Sequence, residues 1–174
     1  MLFTTNENVM FIEIVSDENQ IENIEDLACE IWNEYFTPII GKAQVDYMLH
    51  KFQSKKAITE QIGNGFLYFL IKHNDTPIGY MGVLPKQTHL FLSKLYIKSA
   101  ERSKGNGRKV IEFIEKLATE KGLRKISLTV NRNNSDTIAM YEKLGFENRG
   151  SIIQDIGNGF VMDDFKMEKD IQGD

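Results

Sequence analysis

The sequence predicts one α/β domain built on a mixed β-sheet, with the element order β-α-α-β-β-β-α-β-α-β-β. The first third carries apolar residues at helical spacing, whereas later segments alternate apolar and polar residues or run apolar without a break. Glycine-containing turns separate these segments. Because single domains commonly run to about 100–200 residues, we expect residues 1–174 to form one domain. Hairpins favour antiparallel pairing and helical crossovers favour parallel pairing, so the sheet should contain both.

Helices are predicted where apolar side chains recur every three or four positions. One such stripe begins at Ile21, follows a cap at Ser16 or Asp17, and stops before Pro38. A second helical region follows and divides into two pieces near Ser54. The predicted helices are 21–35, 44–62, 108–121 and 136–144.

Strands are predicted from two patterns. Phe66 to Ile71 is an almost unbroken apolar run, which is typical of a strand buried on both faces. Ile126, Leu128 and Val130 alternate with polar residues, which is typical of a half-buried strand. The predicted strands are 9–15, 66–71, 78–84, 90–97, 126–130, 146–154 and 160–167.

Composition and charge restrict the class of protein. The formal net charge of −4 gives no reason to expect binding to nucleic acid or to an anionic membrane. No run of about 18 apolar residues is present, and the polar start Met1–Asn8 lacks a basic region before an apolar stretch, so we expect a cytoplasmic protein. Cys29 is the only cysteine, which excludes an internal disulfide. The three histidines are scattered without metal-ligand spacing, so we expect no metal site.

A basic loop with two glycines follows the predicted strand 90–97 and opens the next helix. In that place the free N–H groups and the dipole of the helix start attract anions. Gly105 and Gly107 allow close backbone approach, and cations surround them. The Walker pattern is absent, and Val110 stands where a dinucleotide loop needs a third glycine. From these residues alone, a phosphate-binding loop and a plain polar turn both remain open.

A second segment supports the first of these interpretations. The loop from Arg102 to Arg108 resembles the R/Q-x-x-G-x-G/A pyrophosphate loop of the GNAT acetyltransferase superfamily. The segment from Val130 to Phe146 is similar to that family's N-x-x-A-x-x-x-Y-x-x-x-G-F region, with somewhat different internal spacing. The two segments occur in the family's order and separation, and the resemblance is clear over residues 90–146.

The resemblance implies a binding site for coenzyme A where the fourth and fifth strands, the central strands of the sheet, splay apart. The exposed backbone of one strand would pair with the pantetheine amides and polarise the thioester carbonyl, while the loop would hold the pyrophosphate. Asn134 matches an asparagine that contacts the cofactor, although it also suits a helix N-cap. The implied cofactor-binding residues are Leu95, Tyr96, Ile97, Arg102, Lys104, Gly105, Asn106, Gly107, Arg108 and Asn134.

Tyr141 is the one catalytic residue that the resemblance implies, because it matches the tyrosine near the sulfur. Aminolysis of a thioester expels a thiolate, which a nearby hydroxyl can hydrogen-bond or protonate. The alternative is a packing aromatic on the short helix. Leu144 and Phe146 are expected to belong to the core.

The sequence departs from the family pattern at the general base. Several members carry a glutamate or histidine on the fourth strand, where this chain has Phe91 and Ser93. His89, Glu34 or a water chain are the alternatives. For Asp163 and Asp164 we favour a role in a turn, and attraction of a cationic acceptor is the alternative.

The resemblance therefore implies transfer of an acetyl group from acetyl-coenzyme A to a primary amine by direct attack in a ternary complex. A small cationic metabolite, a polyamine or an antibiotic is favoured as acceptor, and a protein N-terminus or lysine is the alternative. A non-catalytic acyl-coenzyme A sensor is a further alternative of another class, and a homodimer is left open. A nucleotide-binding module is disfavoured, since the Walker pattern is missing.

Overall fold

The predicted helices and strands occur along the chain in the predicted order. The computed structural model describes residues 2–5 and 8–172, so Met1, Asn6, Glu7, Gly173 and Asp174 lie outside the described residues. The strands are β1 (Leu2–Thr5), β2 (Asn8–Ile14), β3 (Leu67–His73), β4 (Thr76–Pro85), β5 (Leu90–Ile97), β6 (Lys125–Asn131), β7 (Glu147–Gly157) and β8 (Phe160–Asp170). The α-helices are α1 (Glu18–Tyr35), α2 (Thr37–Ile40), α3 (Lys42–Phe52), α4 (Lys55–Gly63), α5 (Asn106–Glu120) and α6 (Ser135–Lys143), and Ser99–Glu101 is a 3₁₀ turn.

The described chain forms two compact units. The first contains the described residues up to Leu84 together with Lys94–Lys109, and the second contains Pro85–Ser93 together with the described residues from Val110. Strand β5 therefore contributes to both units. The mixed α/β class is as predicted, whereas one domain over 1–174 stays a prediction.

The sheet of the first unit is an antiparallel series in the order β1-β2-β3-β4. The end of β5 lies against β4, since the Lys98 N–H donates to the Ile78 carbonyl at 2.8 Å. A Cβ at Gly79 would lie 2.4 Å from the Tyr96 carbonyl oxygen, so only glycine permits this approach. The backbone that is expected to meet coenzyme A is therefore placed by a contact that depends on one glycine.

Side chains satisfy free backbone N–H groups at the starts of α1 and α4. Asp17 accepts from the Gln20 N–H, and the Gln20 side chain accepts from the Asp17 N–H, which forms a capping box. The predicted break near Ser54 is confirmed, because its hydroxyl accepts from the Ala57 N–H at the start of α4. The apolar stripe of α1 is buried, as its period predicts.

The sheet of the second unit has the order β5-β6-β8-β7. β5 pairs with β6 in parallel from Leu90 to Leu92, while β6 pairs with β8, and β8 with β7, in antiparallel fashion. Lys169 on β8 forms an ion pair with Glu115 on α5, which fixes that helix to the sheet.

Two short elements were not predicted. β1 lies in the polar start of the chain, and α2 contains Pro38, which was expected only to end the preceding helix. Proline is tolerated in the first turn of a helix, where its missing N–H needs no partner. No helix in the described ranges is long and apolar enough to cross a membrane.

Candidate functional site

The basic loop of the first unit is a left-handed turn that leads directly into α5. Ser103 has φ of 60° and Gly105 has φ of 79°, both in the region that favours glycine. α5 begins at Asn106, so Gly107 lies inside its first turn. The first N–H groups of a helix have no intrahelical partner and attract anions. The loop therefore presents backbone donors where the sequence predicts a pyrophosphate site.

Two predicted loop residues hold the loop in place. The buried Asn106 donates from Nδ2 to the Glu101 carbonyl at 2.8 Å. Arg102 donates from Nε to the Ile97 carbonyl at 2.9 Å, and its guanidinium lies 4.3 Å from the centroid of the Tyr35 ring. These side chains fix the turn against β5 and α1.

The loop from Arg102 to Arg108 carries three cationic side chains, and one carboxylate directly precedes it. Glu101 accepts from His73 Nδ1 at 3.1 Å and from Lys104 Nζ at 3.4 Å. Lys104 and Arg108 are exposed. An anionic ligand at the start of α5 would therefore meet exposed cations, while the nearest carboxylate already has two partners.

The predicted pantetheine-binding backbone, Leu95–Ile97, forms the end of β5 in the first unit. Tyr96 places its ring among other aromatic rings, 5.3 Å from Trp32, 5.7 Å from Phe36 and 5.5 Å from Tyr80 between centroids. This packing joins the end of β5 to α1 and β4 and restricts its movement.

Asn134 of the second unit occupies the N-cap position of α6, yet its side chain makes no capping hydrogen bond. Its backbone carbonyl accepts from the Ile138 N–H at 3.0 Å, as an N-cap carbonyl does. The residue is 5% exposed. The N-cap alternative is thus correct for the backbone position and wrong for the side chain.

Tyr141, on the last turn of α6, is also buried. Its ring packs edge-on against Phe146 with centroids 5.2 Å apart, and its carbonyl accepts from the Phe146 N–H at 3.0 Å. Burial raises the pKa of the phenol, so it stays protonated at neutral pH and able to donate a hydrogen bond. The residue thus packs in the core of its unit and also carries a hydroxyl that is a donor.

The residues considered as general base differ in their surroundings. Burial, followed by the charge of Lys166, lowers the pKa of His89, so this imidazole is neutral at pH 7 and able to accept a proton. Its Nδ1 lies 3.0 Å from the Thr88 hydroxyl. Glu34 is exposed and accepts from the Ser99 hydroxyl at 2.7 Å. Phe91 and Ser93 are both half-buried.

The two aspartates expected in a turn lie within β8 instead. The turn falls at residues 158–159, because positive φ at Asn158 and Gly159 reverses the chain there. Asp163 accepts from Arg132 Nε at 2.8 Å. Asp164 is 4% exposed, and burial is the main cause that raises its pKa to about 6.

One polar residue that sequence reasoning missed is Lys94 on β5, which is 6% exposed. Leu90, Leu92 and Lys94 occupy every second position of β5, and all three are buried. This period of two was the signal that could have placed a lysine on the buried face of the strand.

Comparisons with known proteins identify the family of the chain. The chain matches the model of the acetyltransferase (GNAT) family over residues 25–146. The search of curated proteins found no match. Because the family model covers more than half of the chain, the protein belongs to the acetyltransferase (GNAT) family and is an N-acetyltransferase by class.

Solved structures show the same fold at low identity. A PaiA N-acetyltransferase from Thermoplasma acidophilum, in complex with coenzyme A, is 23% identical with a TM-score of 0.77, covering 92% of this chain and 98% of that one. A ribosomal-protein-alanine N-acetyltransferase from Escherichia coli is 17% identical with a TM-score of 0.71, covering 95% and 96%. An aminoglycoside 6'-acetyltransferase type Ii is 20% identical with a TM-score of 0.68, covering 94% and 99%.

Proposed function

We propose that this protein transfers the acetyl group of acetyl-coenzyme A to the primary amine of a small cationic molecule. The observation that carries the proposal is the loop that ends in the first turn of α5. It combines a glycine in the left-handed region, helix-start N–H groups and exposed cations. These residues fit a pyrophosphate, and the family supplies the reaction class.

The binding site for the pyrophosphate and pantetheine arm of acetyl-coenzyme A is assigned to the first unit. Backbone donors of Gly105, Asn106 and Gly107 bind the pyrophosphate, and Lys104 and Arg108 neutralise it. Arg102 acts through the loop by holding its turn against β5. The backbone of Leu95–Ile97 orients the pantetheine arm by hydrogen bonds of the kind that add a strand to a sheet edge. Asn134 is proposed as a further cofactor-binding residue.

Acetyl-coenzyme A supplies the thioester, and its C–S bond breaks as the amine nitrogen forms the amide and a thiolate leaves. The proposed role of Tyr141 is to donate a hydrogen bond to that thiolate. Its raised pKa supports donation of a hydrogen bond rather than complete transfer of the proton. The amine loses a proton in the same reaction, and neutral His89 and Glu34 remain the proposed acceptors of that proton.

The acceptor is assigned by charge. The chain carries a formal net charge of −4, which favours a cation over an anion. Asp164 is a buried carboxyl whose pKa is influenced by burial, Thr129 and Asp163, none of which is a cation. Such a carboxyl is stabilised in its charged form by a cationic ligand. A cationic acceptor is therefore preferred to an anionic one, and among cationic acceptors we favour a small amine over a protein lysine or N-terminus.

The test is a panel of amines with detection of free thiol. Polyamines, aminoglycosides and other small cationic amines form one arm, and peptides with a free N-terminus or an internal lysine form the other. The proposal expects thiol release and acetylated product with at least one small amine. Turnover only with peptides would show that the acceptor is a protein and not a small amine. Tight binding of acetyl-coenzyme A without turnover of any amine would favour a non-catalytic acyl-coenzyme A sensor.

A further inference from the structure

A buried lysine on β5 lies inside a hydrogen-bonded cluster of the first unit. Lys94 donates from Nζ to the Phe52 carbonyl at 2.6 Å and to Gln61 Oε1 at 2.8 Å. It also forms a hydrogen bond with the Tyr68 hydroxyl, and Nζ lies 5.2 Å from the centroid of that ring. Lysine is almost never fully buried without partners, so three polar partners around one amine form a specific arrangement.

None of these partners is charged. The groups that face Lys94 are the Phe52 carbonyl at the end of α3, Gln61 on α4 and Tyr68 on β3. Within the described residues no carboxylate forms an ion pair with it, and burial lowers its pKa to about 7. Tyr80 on β4 extends the cluster by donating to Gln53 Oε1 at 2.9 Å. Burial raises the pKa of both tyrosines, so neither ionises near neutral pH.

The cluster accommodates Lys94 with or without its charge. As a neutral amine, it donates two N–H groups to Phe52 and Gln61, and its lone pair accepts from the Tyr68 hydroxyl. As an ammonium, it donates its third N–H to the Tyr68 oxygen. The Tyr68 hydroxyl can then donate to Gln61 Oε1, with which it is also in hydrogen-bond contact. Protonation therefore changes the charge of the cluster without moving its heavy atoms.

Lys94 also fastens the end of a helix to a strand. Phe52 is the last residue of α3, and the last carbonyls of a helix lack an intrahelical partner. Lys94 Nζ and Gln61 Nε2, the latter at 3.1 Å, both donate to this carbonyl. We expect the helical segment from Ile31 to Phe52 to face the acceptor, because the implied cofactor-binding residues all lie later in the chain. The far end of this segment is held on β5 by Lys94.

We propose that Lys94 is a positioning residue for the acceptor amine, which fixes the end of α3 on β5 and serves best without charge. This inference rests on the proposed function. Among the side chains that the structure describes, a charge on Lys94 has no counter-ion, and it would repel a cationic acceptor through a medium of low dielectric constant. Loss of the Lys94 amino group would loosen the end of the segment from Ile31 to Phe52, and it would leave the pyrophosphate loop unchanged.

The test compares Lys94→Met with the wild-type enzyme. Methionine is of similar length, and the bonds of Gln61 to Tyr68 and to Phe52 do not involve Lys94, so the variant should fold. We expect the acceptor KM to rise by about 2–13-fold, the range for one hydrogen bond, while the KM for acetyl-coenzyme A stays within about twofold. As the pH falls through about 7, wild-type kcat/KM for the acceptor should also fall more steeply than that of the variant, because only the wild type gains a charge at residue 94.

Lys56→Met is the matched control, since that side chain is 86% exposed and should change neither constant. Unchanged acceptor KM and pH profile in Lys94→Met would overturn the inference. If wild-type enzyme turns over no amine, the proposed function fails and the acceptor role of Lys94 fails with it.

If the variant does not fold, nuclear magnetic resonance of the Lys94 side chain in wild-type protein tests the inference instead. A neutral amine at about pH 8 supports the proposal, and an ammonium at that pH contradicts it.

Discussion

Tyr141 shows at the residue scale how one side chain can serve both packing and chemistry. Its ring packs on Phe146 and is 5% exposed. The same burial keeps its hydroxyl protonated by raising the pKa. A phenol with a pKa above that of a thiol, about 10 against about 8.5 before any shift, is a poor acid toward a thiolate but a good hydrogen-bond donor. The expected contribution is therefore that of a hydrogen bond.

Replacing Tyr141 by phenylalanine tests this role, because it removes the hydroxyl and keeps the ring. We expect kcat to fall by about 2–13-fold, the range for one hydrogen bond. A larger fall, of about 100-fold or more, would indicate acid catalysis. The measurement is steady-state turnover, with coenzyme A affinity by calorimetry and the Tm as controls that should hardly change. An unchanged kcat, with chemistry shown to limit the rate, would make Tyr141 a packing residue only.

At the scale of elements, the start of α5 offers a cleaner probe of donor binding than the glycine before it. Gly105 has φ of 79°, so any substitution there strains the backbone. Gly107 lies within the helix, where valine is tolerated. Gly107→Val should therefore weaken coenzyme A binding by placing a branched side chain at the N–H groups of the first turn. Calorimetry should show the loss in a variant that retains its Tm.

Gly63→Val is the control for that substitution. Gly63 ends α4, and a Cβ there meets nothing within 4 Å. Coenzyme A affinity should remain at the wild-type value. Equal affinity in Gly107→Val and Gly63→Val, with both folded, would remove the loop from the donor site.

Residues in the last turns of α1 should contribute to binding of the acceptor. Glu34 is exposed and lies within the segment that we expect to face it. Glu34→Gln removes the charge and keeps the shape, so the KM of a cationic acceptor should rise more than the KM of acetyl-coenzyme A. Glu30→Gln, one turn earlier, removes a carboxylate that pairs with Lys98 at 3.1 Å and serves as control. A larger rise in the KM of acetyl-coenzyme A than in the KM of the acceptor would place the acceptor site outside this segment.

Local patterns predicted the elements well and the contacts between them poorly. Ser54 marked the break between α3 and α4 because capping is a local interaction. The loop was also recognisable, because glycines at a helix start have a local meaning. The roles of Arg102 and Asn106 in bracing that loop were not predictable, since they depend on carbonyls that the fold brings near. Lys94 was missed for the same reason, as its partners lie on three other elements.

At the scale of the whole molecule, family membership and site residues rest on different observations. The match over residues 25–146 establishes an acetyltransferase (GNAT) chain. Similar structures at 17–23% identity establish the fold. Neither identifies the amine, because the acceptors named for those proteins include both a ribosomal protein and an aminoglycoside. The acceptor of this protein must be found by measuring turnover.

The most direct test of the account measures product and thiol together. Wild-type protein is incubated with acetyl-coenzyme A and the best small amine from the panel, and mass spectrometry and a thiol reagent follow the reaction. The account predicts one acetylated amine for each thiol released. Both signals should be reduced in Gly107→Val when the concentration of acetyl-coenzyme A is limiting. Thiol release without acetylated amine, or no release while acetyl-coenzyme A binds tightly, would contradict it.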